Sequence, residues 1–258
     1  MDAIVTAGGI PKPGEPLYEF TQGRPKALLE LAGKPMVQWV LDALGASKKV
    51  DHIVVVGLNE NSGLTSNKPL YYLPNQGGML ENILAGAQKL LTIHPASQTM
   101  VSVSSDVPAL TGEIMDWLVG EVEKSDHDVF YNVIPRETME NRFPGSKRTF
   151  TKFKDIEICG GDVTAFRTRM LTTEGGVWRE LIEARKNVLK QAAIIGWGTF
   201  FLLFTRQLTL QGAVERVSQR LEINAKLLKS PYPEVGMDVD KPYQMEMLQN
   251  ELARRRSA

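Results

Sequence analysis

Cysteine is nearly absent. Cys159 stands alone among 258 residues, which excludes an internal disulfide framework and fits a reducing compartment. The three histidines are scattered, and no Cys/His spacing of the zinc-binding kind occurs, so no metal site is expected from them. An excess of one charge sign is also missing. Thirty Lys and Arg offset 30 Asp and Glu, so there is no overall bias toward nucleic acid, and none is expected as a partner. The N-terminus lacks the charged and apolar regions of a signal peptide, and a cytoplasmic location is expected. Internal repeats and low-complexity linkers are absent too.

Long apolar runs are lacking as well. The stretch that tests this is "AAIIGWGTFFLLF" at 192–204, well short of the roughly 20 residues that span a bilayer. A buried helix is the favoured reading. A surface that meets a lipid, a membrane or a second subunit of a homodimer is the alternative.

What is present is an alternation of strand and helix. "DAIVTA" reads as a short buried strand that ends at Gly-Gly. Met36, Val37, Val40, Leu41 and Leu44 fall at helical spacing. "DHIVVVGL" is a β-branched run typical of a strand covered on both faces. "LYYLP" is a further strand, "MLENILAGAQKLL" a helix, "TMVSVSSDVP" a strand with a polar end, and "HDVFYNVI" another strand. Between the last two, Thr111 opens a helix. This order predicts a doubly wound, mostly parallel α/β sheet.

The texture changes after about residue 134. Residues 147–167 read as two short strands joined by a turn, with a basic run ahead of a Gly-Gly turn. Residues 177–204 and 210–221 read as helical. Residues 234–256 read as a strand end, a loop and a polar helix. No domain boundary stands out. One domain over 1–258 is expected, with an elaborated half after about residue 134.

In open α/β sheets, ligands bind beyond the carboxyl ends of the strands, so the loops there carry the candidate chemistry. Ala7-Gly8-Gly9 and the loop to Lys26 offer close backbone approach, exposed N–H groups and a point charge for phosphate oxygens, with an ordinary surface loop as the alternative. The loop is neither a dinucleotide GxGxxG fingerprint nor a GK[ST] P-loop. Asp106 ends an apolar strand ahead of a proline, a place for a hard cation or for a helix cap. Asp238 and Asp240, two residues apart in an extended segment, would point to one side and favour a cation or a raised pKa; capping of the last helix is the alternative. Gln76, Gly77 and Gly78, with Asn82 one turn into the helix, either read a base edge or form a generic loop. Alternation along a strand would set Arg148, Lys152 and Lys154 on one side, either for an anion or as a solvated face.

Together these loops resemble the nucleotidyltransferase superfamily of the glycosyltransferase-A type fold. The order "TAGG", "RPKALLELAGKPMVQWVLDAL", "NQGGMLENILAGAQ", "VSSDVP", "GGDVTAF", "MDVDKPYQME" spans nearly the whole chain. "RPKALLELAGKPM" is similar to a string of sugar-1-phosphate nucleotidylyltransferases, and the later segments resemble MobA-like proteins. The resemblance implies transfer of NMP from an NTP to a small, phosphorylated acceptor, with release of pyrophosphate. It implies that Ala7, Gly8 and Gly9 line base and phosphates, and that Lys26 binds phosphate. Gln76, Gly77 and Gly78 would contact the base, with Asn82 nearby. Asp106 with Asp238 or Asp240 would hold Mg2+. Gly161 and Asp162 would face the acceptor. Such chemistry needs positioning and charge neutralisation rather than a covalent enzyme intermediate, so no Ser-His-Asp set is required.

One departure stands out. Family members place an arginine in the first loop, and in this chain that position falls on Pro16. Lys12 is its natural substitute, with charge but no planar bidentate fork. A nucleotide-binding member without turnover is therefore an alternative. A glycosyltransferase of the same fold is another, although such enzymes place DxD after a mid-sheet strand, where this chain has only Asp106.

Overall fold

The computed structural model describes residues 1–172 and 196–257. The chain opens with β1 (Asp2–Thr6). Its alternate side chains enter two cores, Ala3 and Val5 on one face and Ile4 on the other. A strand covered on both faces has no polar side, which is why the run is continuously apolar. A short helix α1 (Tyr18–Thr21) lies in the long first loop, followed by a small ribbon of β2 (Glu30–Leu31) and β3 (Lys34–Pro35). Then come α2 (Met36–Ala46), β4 (Ile53–Val56), β5 (Leu70–Leu73), α3 (Met79–Ile93), β6 (Thr99–Ser104), α4 (Gly112–Glu123) and β7 (Val129–Pro135). Thr111 caps α4 as expected, its hydroxyl accepting the Ile114 amide.

The doubly wound arrangement is present. α2 and α4 pack in one core with Val55 and Val101, and Ala87 and Leu90 of α3 pack in the other with Ile4 and Val54. β1 runs parallel to β4 and β6, and β4 runs parallel to β5. With Asp106 directly after β6 and the Gly8–Gly9 loop directly after β1, two candidate loops share one rim.

The second half departs from expectation in three places. The helix α5 (Arg136–Arg142) is followed by β8 (Thr151–Lys152) and β9 (Glu157–Arg167). Gly160 and Gly161 are not a turn. They sit inside β9, which runs antiparallel between β6 and β7; the turn is at residues 153–156, where Phe153 donates to the Ile156 carbonyl. The glycines are there for close approach. A Cβ on Gly160 would lie 2.3 Å from the Tyr131 hydroxyl, and one on Gly161 3.0 Å from Asn132 Cβ.

Second, α6 (Trp197–Phe204) is not a buried helix. Phe201 and Phe204 are 63% and 78% exposed. Gly196, at φ +95°, breaks the backbone just before it. An apolar run without a polar face must expose aromatics once it meets the surface. The expected helix from 177 and the start of the apolar run lie outside the described residues. Among the described residues, no helix is long and apolar enough to cross a membrane.

Third, α7 (Leu210–Leu221) leads into β10 (Ala225–Lys229), an edge strand parallel to β7. The sequence pattern, lysines around two leucines, had hidden it. Residues 237–241 form no strand; a 3-10 turn (Pro233–Gly236) delivers them, and α8 (Pro242–Ser257) follows. The sheet order is β5-β4-β1-β6-β9-β7-β10, with β8 paired to β9.

Candidate functional site

The rim of the sheet gathers side chains from six separated positions. Lys26 begins a 3-10 turn whose amide is held by the Gly9 carbonyl, 2.9 Å away, so the lysine is tied to the glycine loop. Its Nζ lies 2.5 Å from Asp106 Oδ2 and 2.7 Å from Asp240 Oδ1. Burial works against the ammonium, but Asp106 and Asp240 outweigh it and hold the Lys26 pKa above the ordinary lysine value.

Asp106 is positioned twice over. Ser104 Oγ donates to its carboxylate at 2.5 Å, and its carbonyl accepts the Val239 amide at 2.9 Å. The second bond binds the late segment to the end of β6. Glycines make that approach possible: a Cβ on Gly236 would lie 2.8 Å from the Gly160 carbonyl oxygen. Asp240 is fixed from behind, where its amide donates to Gln244 Oε1. Asp238 is buried and ion-paired with Arg148.

Asp162, in β9, completes the group. Arg148 Nη2 is 3.9 Å from its Oδ2, an oxygen that is buried and accepts no hydrogen bond. Burial, reinforced by the charge of Asp106 and only partly offset by Arg148, pushes the Asp162 carboxyl up to about 7.

One carboxylate oxygen each from Asp106, Asp238 and Asp240 lies within 4.8 Å of the others. Across the wider cluster, four carboxylates face two cations, Lys26 and Arg148. When all are ionised, the surplus of two negative charges equals one divalent cation. An all-oxygen donor set of this kind suits a hard ion such as Mg2+. The residues therefore fit such an ion, with Lys26 and Arg148 holding the carboxylates in its place.

Much of the first loop is exposed. Ala7 is buried and bonded to the Val56 carbonyl at 2.8 Å, whereas Gly9 and Ile10 are exposed. Lys12, Arg24 and Pro16 are exposed along the same loop. Glu15 accepts the Lys12 amide, which closes a local turn between the two.

The second loop is organised by a residue that sequence reasoning missed. Asn75 donates to the Gly8 carbonyl at 3.3 Å and accepts from the Gly77 amide at 3.1 Å and from Asn82 Nδ2 at 3.0 Å. Asn82 is buried and accepts the Gln76 amide at 2.7 Å. It shapes the loop from beneath, while Gln76, Gly77 and Gly78 form the loop itself. The Gln76 side chain donates to the Pro74 carbonyl. Gly57 was missed too. A Cβ there would lie 2.3 Å from the Gly8 nitrogen, at a φ of +109°. Its signal was a glycine at the carboxyl end of a buried strand.

The basic run does not act as one face. Arg148 lies ahead of β8, outside any strand, and turns in to Asp238. Lys152 points elsewhere and pairs with Glu157 at 3.4 Å. No strand alternation exists there to align them. Gly161 and Asp162 do reach the rim, with Tyr131 against neighbouring Gly160.

Relatives carry the same plan. A hypothetical transferase structure from Thermus thermophilus is 30% identical, with a TM-score of 0.82, over 95% of this chain and 98% of that one. A probable molybdenum cofactor guanylyltransferase from Thermococcus gammatolerans is 27% identical over 103 residues. That match takes in 40% of this chain and 51%, about half, of the relative's length. CMP:2-keto-3-deoxy-manno-octonic acid synthetase complexed with CTP shares the fold, at 13% identity and TM-score 0.58 over 99% and 98% of the two chains. So does 4-diphosphocytidyl-2C-methyl-D-erythritol synthase from Anaerococcus prevotii, at 11% and 0.55 over 97% and 95%. Residues 4–193 match the MobA-like NTP transferase domain, and the chain belongs to that family.

Proposed function

We propose that this chain is a Mg2+-dependent nucleotidyltransferase, moving NMP from an NTP to a small, phosphorylated acceptor. One observation carries the reading: Lys26, tied to the Gly8–Gly9 loop, bridges Asp106 and Asp240 beside two further acids. A phosphate-binding loop thus meets a cation-deficient carboxylate cluster. The family, and relatives described as guanylyltransferase and CMP-sugar synthetase, support the same class of reaction.

The acceptor oxygen would form a bond to the α-phosphorus as the bridging P–O bond breaks and pyrophosphate leaves. Exposed backbone N–H groups at Gly9 and Ile10 would hold phosphate oxygens. The Lys26 ammonium, on a flexible stem, would swing from its carboxylates to the triphosphate and share its growing negative charge. Asp106 with Asp238 and Asp240 would hold Mg2+, which when bound neutralises phosphate charge and favours the leaving group. Arg148 would meet an acceptor anion beside Gly161 and Asp162. Lys152, paired to Glu157, would lie at the outer edge. Gln76, Gly77 and Gly78, on the loop shaped by Asn82, would contact the base. Lys12 would replace the arginine lost at Pro16. A single catalytic unit over 1–258 in the cytoplasm completes the proposal, with exposed Phe201 and Phe204 open to a second copy.

The test is pyrophosphate release from GTP, CTP, ATP and UTP with Mg2+ and a fractionated pool of phosphorylated metabolites. Release with one NTP, dependent on one acceptor fraction, is expected. Tight Mg-NTP binding without pyrophosphate from any pairing would favour the non-catalytic alternative that Pro16 suggests.

A further inference from the structure

The amino ends of the strands, the edge opposite the rim, hold a second cluster, although no metal site is expected from histidines so scattered in the sequence. Asp2 begins β1 and is completely buried. Its Oδ1 lies 2.8 Å from His52 Nδ1, and its Oδ2 lies 2.9 Å from His94 Nδ1. The histidines are 50 and 92 residues from Asp2 in the chain. Two of the three histidines in the sequence thus converge on one buried acid.

Each of the three residues is held by its backbone. Asp2 pairs with Met100 across β1 and β6. The His52 carbonyl accepts the Ala3 amide at 2.8 Å. His94 caps α3, its amide bonded to the Leu90 carbonyl at 2.7 Å. The rings sit 5.6 Å apart at 54°, both with Nδ1 toward the carboxylate. The imidazoles remain partly open to solvent, at 26% and 40% exposure, so an ion has a way in and a water can complete its shell.

We infer that Asp2, His52 and His94 form a transition-metal site for Zn2+ or a similar imidazole-preferring ion. The donor atoms lie within 4.8 Å of one another. Ligands at about 2.0–2.1 Å around a tetrahedral ion stand about 3.3 Å apart, a few tenths beyond the present Nδ1–oxygen separations. Binding puts the ion in place of the Nδ1 protons, and each neutral imidazole then carries its proton on Nε2. Nitrogen ligands set this cluster apart from the all-oxygen rim, which suits Mg2+. Its effect would be to fasten β1, the entry to β4 and the end of α3 at the edge away from the rim.

The test titrates the full chain with Co2+ in excess Mg2+, which keeps the rim carboxylates occupied. One Co2+ per chain, with the intense visible bands of a tetrahedral site, is expected. His52→Gln and His94→Gln should each weaken that binding by more than about 100-fold. Both residues are partly exposed, so folded variants are expected, with circular dichroism as the check. X-ray absorption of the wild-type Zn2+ form should show two imidazole scatterers, and it stands independently of the variants. Absence of Co2+ binding, binding that survives either substitution, or a shell of oxygen alone would overturn the site. That outcome would leave the cluster as a hydrogen-bonded His-Asp-His contact.

Discussion

Asp106 follows the carboxyl end of β6, and Asp2 opens the amino end of β1 beside it; the two acids are held in opposite ways. At the rim, Asp106 faces an ammonium at the end of a long stem, within a cluster of four carboxylates and two cations. At the other edge, Asp2 faces two short imidazoles anchored by backbone bonds. Burial works to raise the Asp2 pKa, yet Ser97, His52 and His94 hold it below the ordinary range. Long side chains can leave their carboxylates for a ligand at little cost in backbone movement; short ones cannot. The rim side chains can therefore exchange partners with little backbone movement, and those at the opposite edge cannot.

The strongest way to break this contrast is to alter each acid's partners and follow pyrophosphate release. Asp106→Asn removes charge from the centre of the rim cluster. It should lower kcat by about 10²–10³, the effect of losing one well-placed electrostatic group. His52→Gln, at the amino ends of the strands, should leave kcat within about twofold, since His52 makes no interaction with the reacting groups. Equal losses in both variants would mean the two clusters are coupled, and the distinction between the two edges would fail.

A smaller effect is expected from the glycine that brings two rim loops together. Gly57→Ala puts a Cβ 2.3 Å from the Gly8 nitrogen at a φ of +109°. Backbone strain and overpacking of this kind each cost about 1–3 kcal/mol. Urea unfolding should report a loss in that range, with KM for the NTP rising because Gly8 is displaced. Unchanged stability and KM would mean the loops can separate freely, and that the rim is less preorganised than the geometry indicates.

Gly57 also marks where the sequence was legible and where it was not. β1 and β4 could be read because strands buried on both faces need apolar side chains, and Ala3 to Val5 and Ile53 to Val56 supply them without a break, while in β6 Met100, Val101 and Val103 do so around the buried Ser102. Asp106 and Lys26 could be singled out because the loops after β6 and β1 share a rim, whereas Asp238 and Asp240, which no strand directly precedes, stood out by their spacing and by the resemblance. β9 was misread because Gly160 and Gly161 look like a turn in one dimension. Their reason is Tyr131 and Gly236, which arrive from other strands and loops. Asn75 was missed since its neighbours Gln76 and Gly77 drew attention, while its role is to bond Gly8, 67 residues away. His52 and His94 were dismissed as scattered because only strand order brings them to Asp2. Local pattern gives elements, whereas contacts between loops depend on the order in which the sheet is assembled.

The smallest effect concerns Asp162, the rim acid without a hydrogen bond on one buried oxygen. Its carboxyl titrates near 7 in the folded chain, against 3.8 for an unperturbed aspartate, because burial and the charge of Asp106 oppose ionisation. Between those two values the unfolded chain has released the proton while the folded chain retains it. The folded state then binds more protons, so the contribution of Asp162 to stability falls as pH rises from about 4 to about 7 and is flat above that. Asp162→Asn removes this slope, because an amide does not titrate in the window. Urea unfolding across that range, with a chelator present to keep divalent ions from the cluster, should give a shallower decline for the variant. Adding Mg2+ to the wild-type protein should flatten the slope in the same way, since an ion among Asp106, Asp238 and Asp240 removes the surplus negative charge that opposes ionisation. If Mg2+ leaves the slope unchanged while Asp162→Asn abolishes it, the cause is burial alone, and the rim carboxylates are not a shared electrostatic unit.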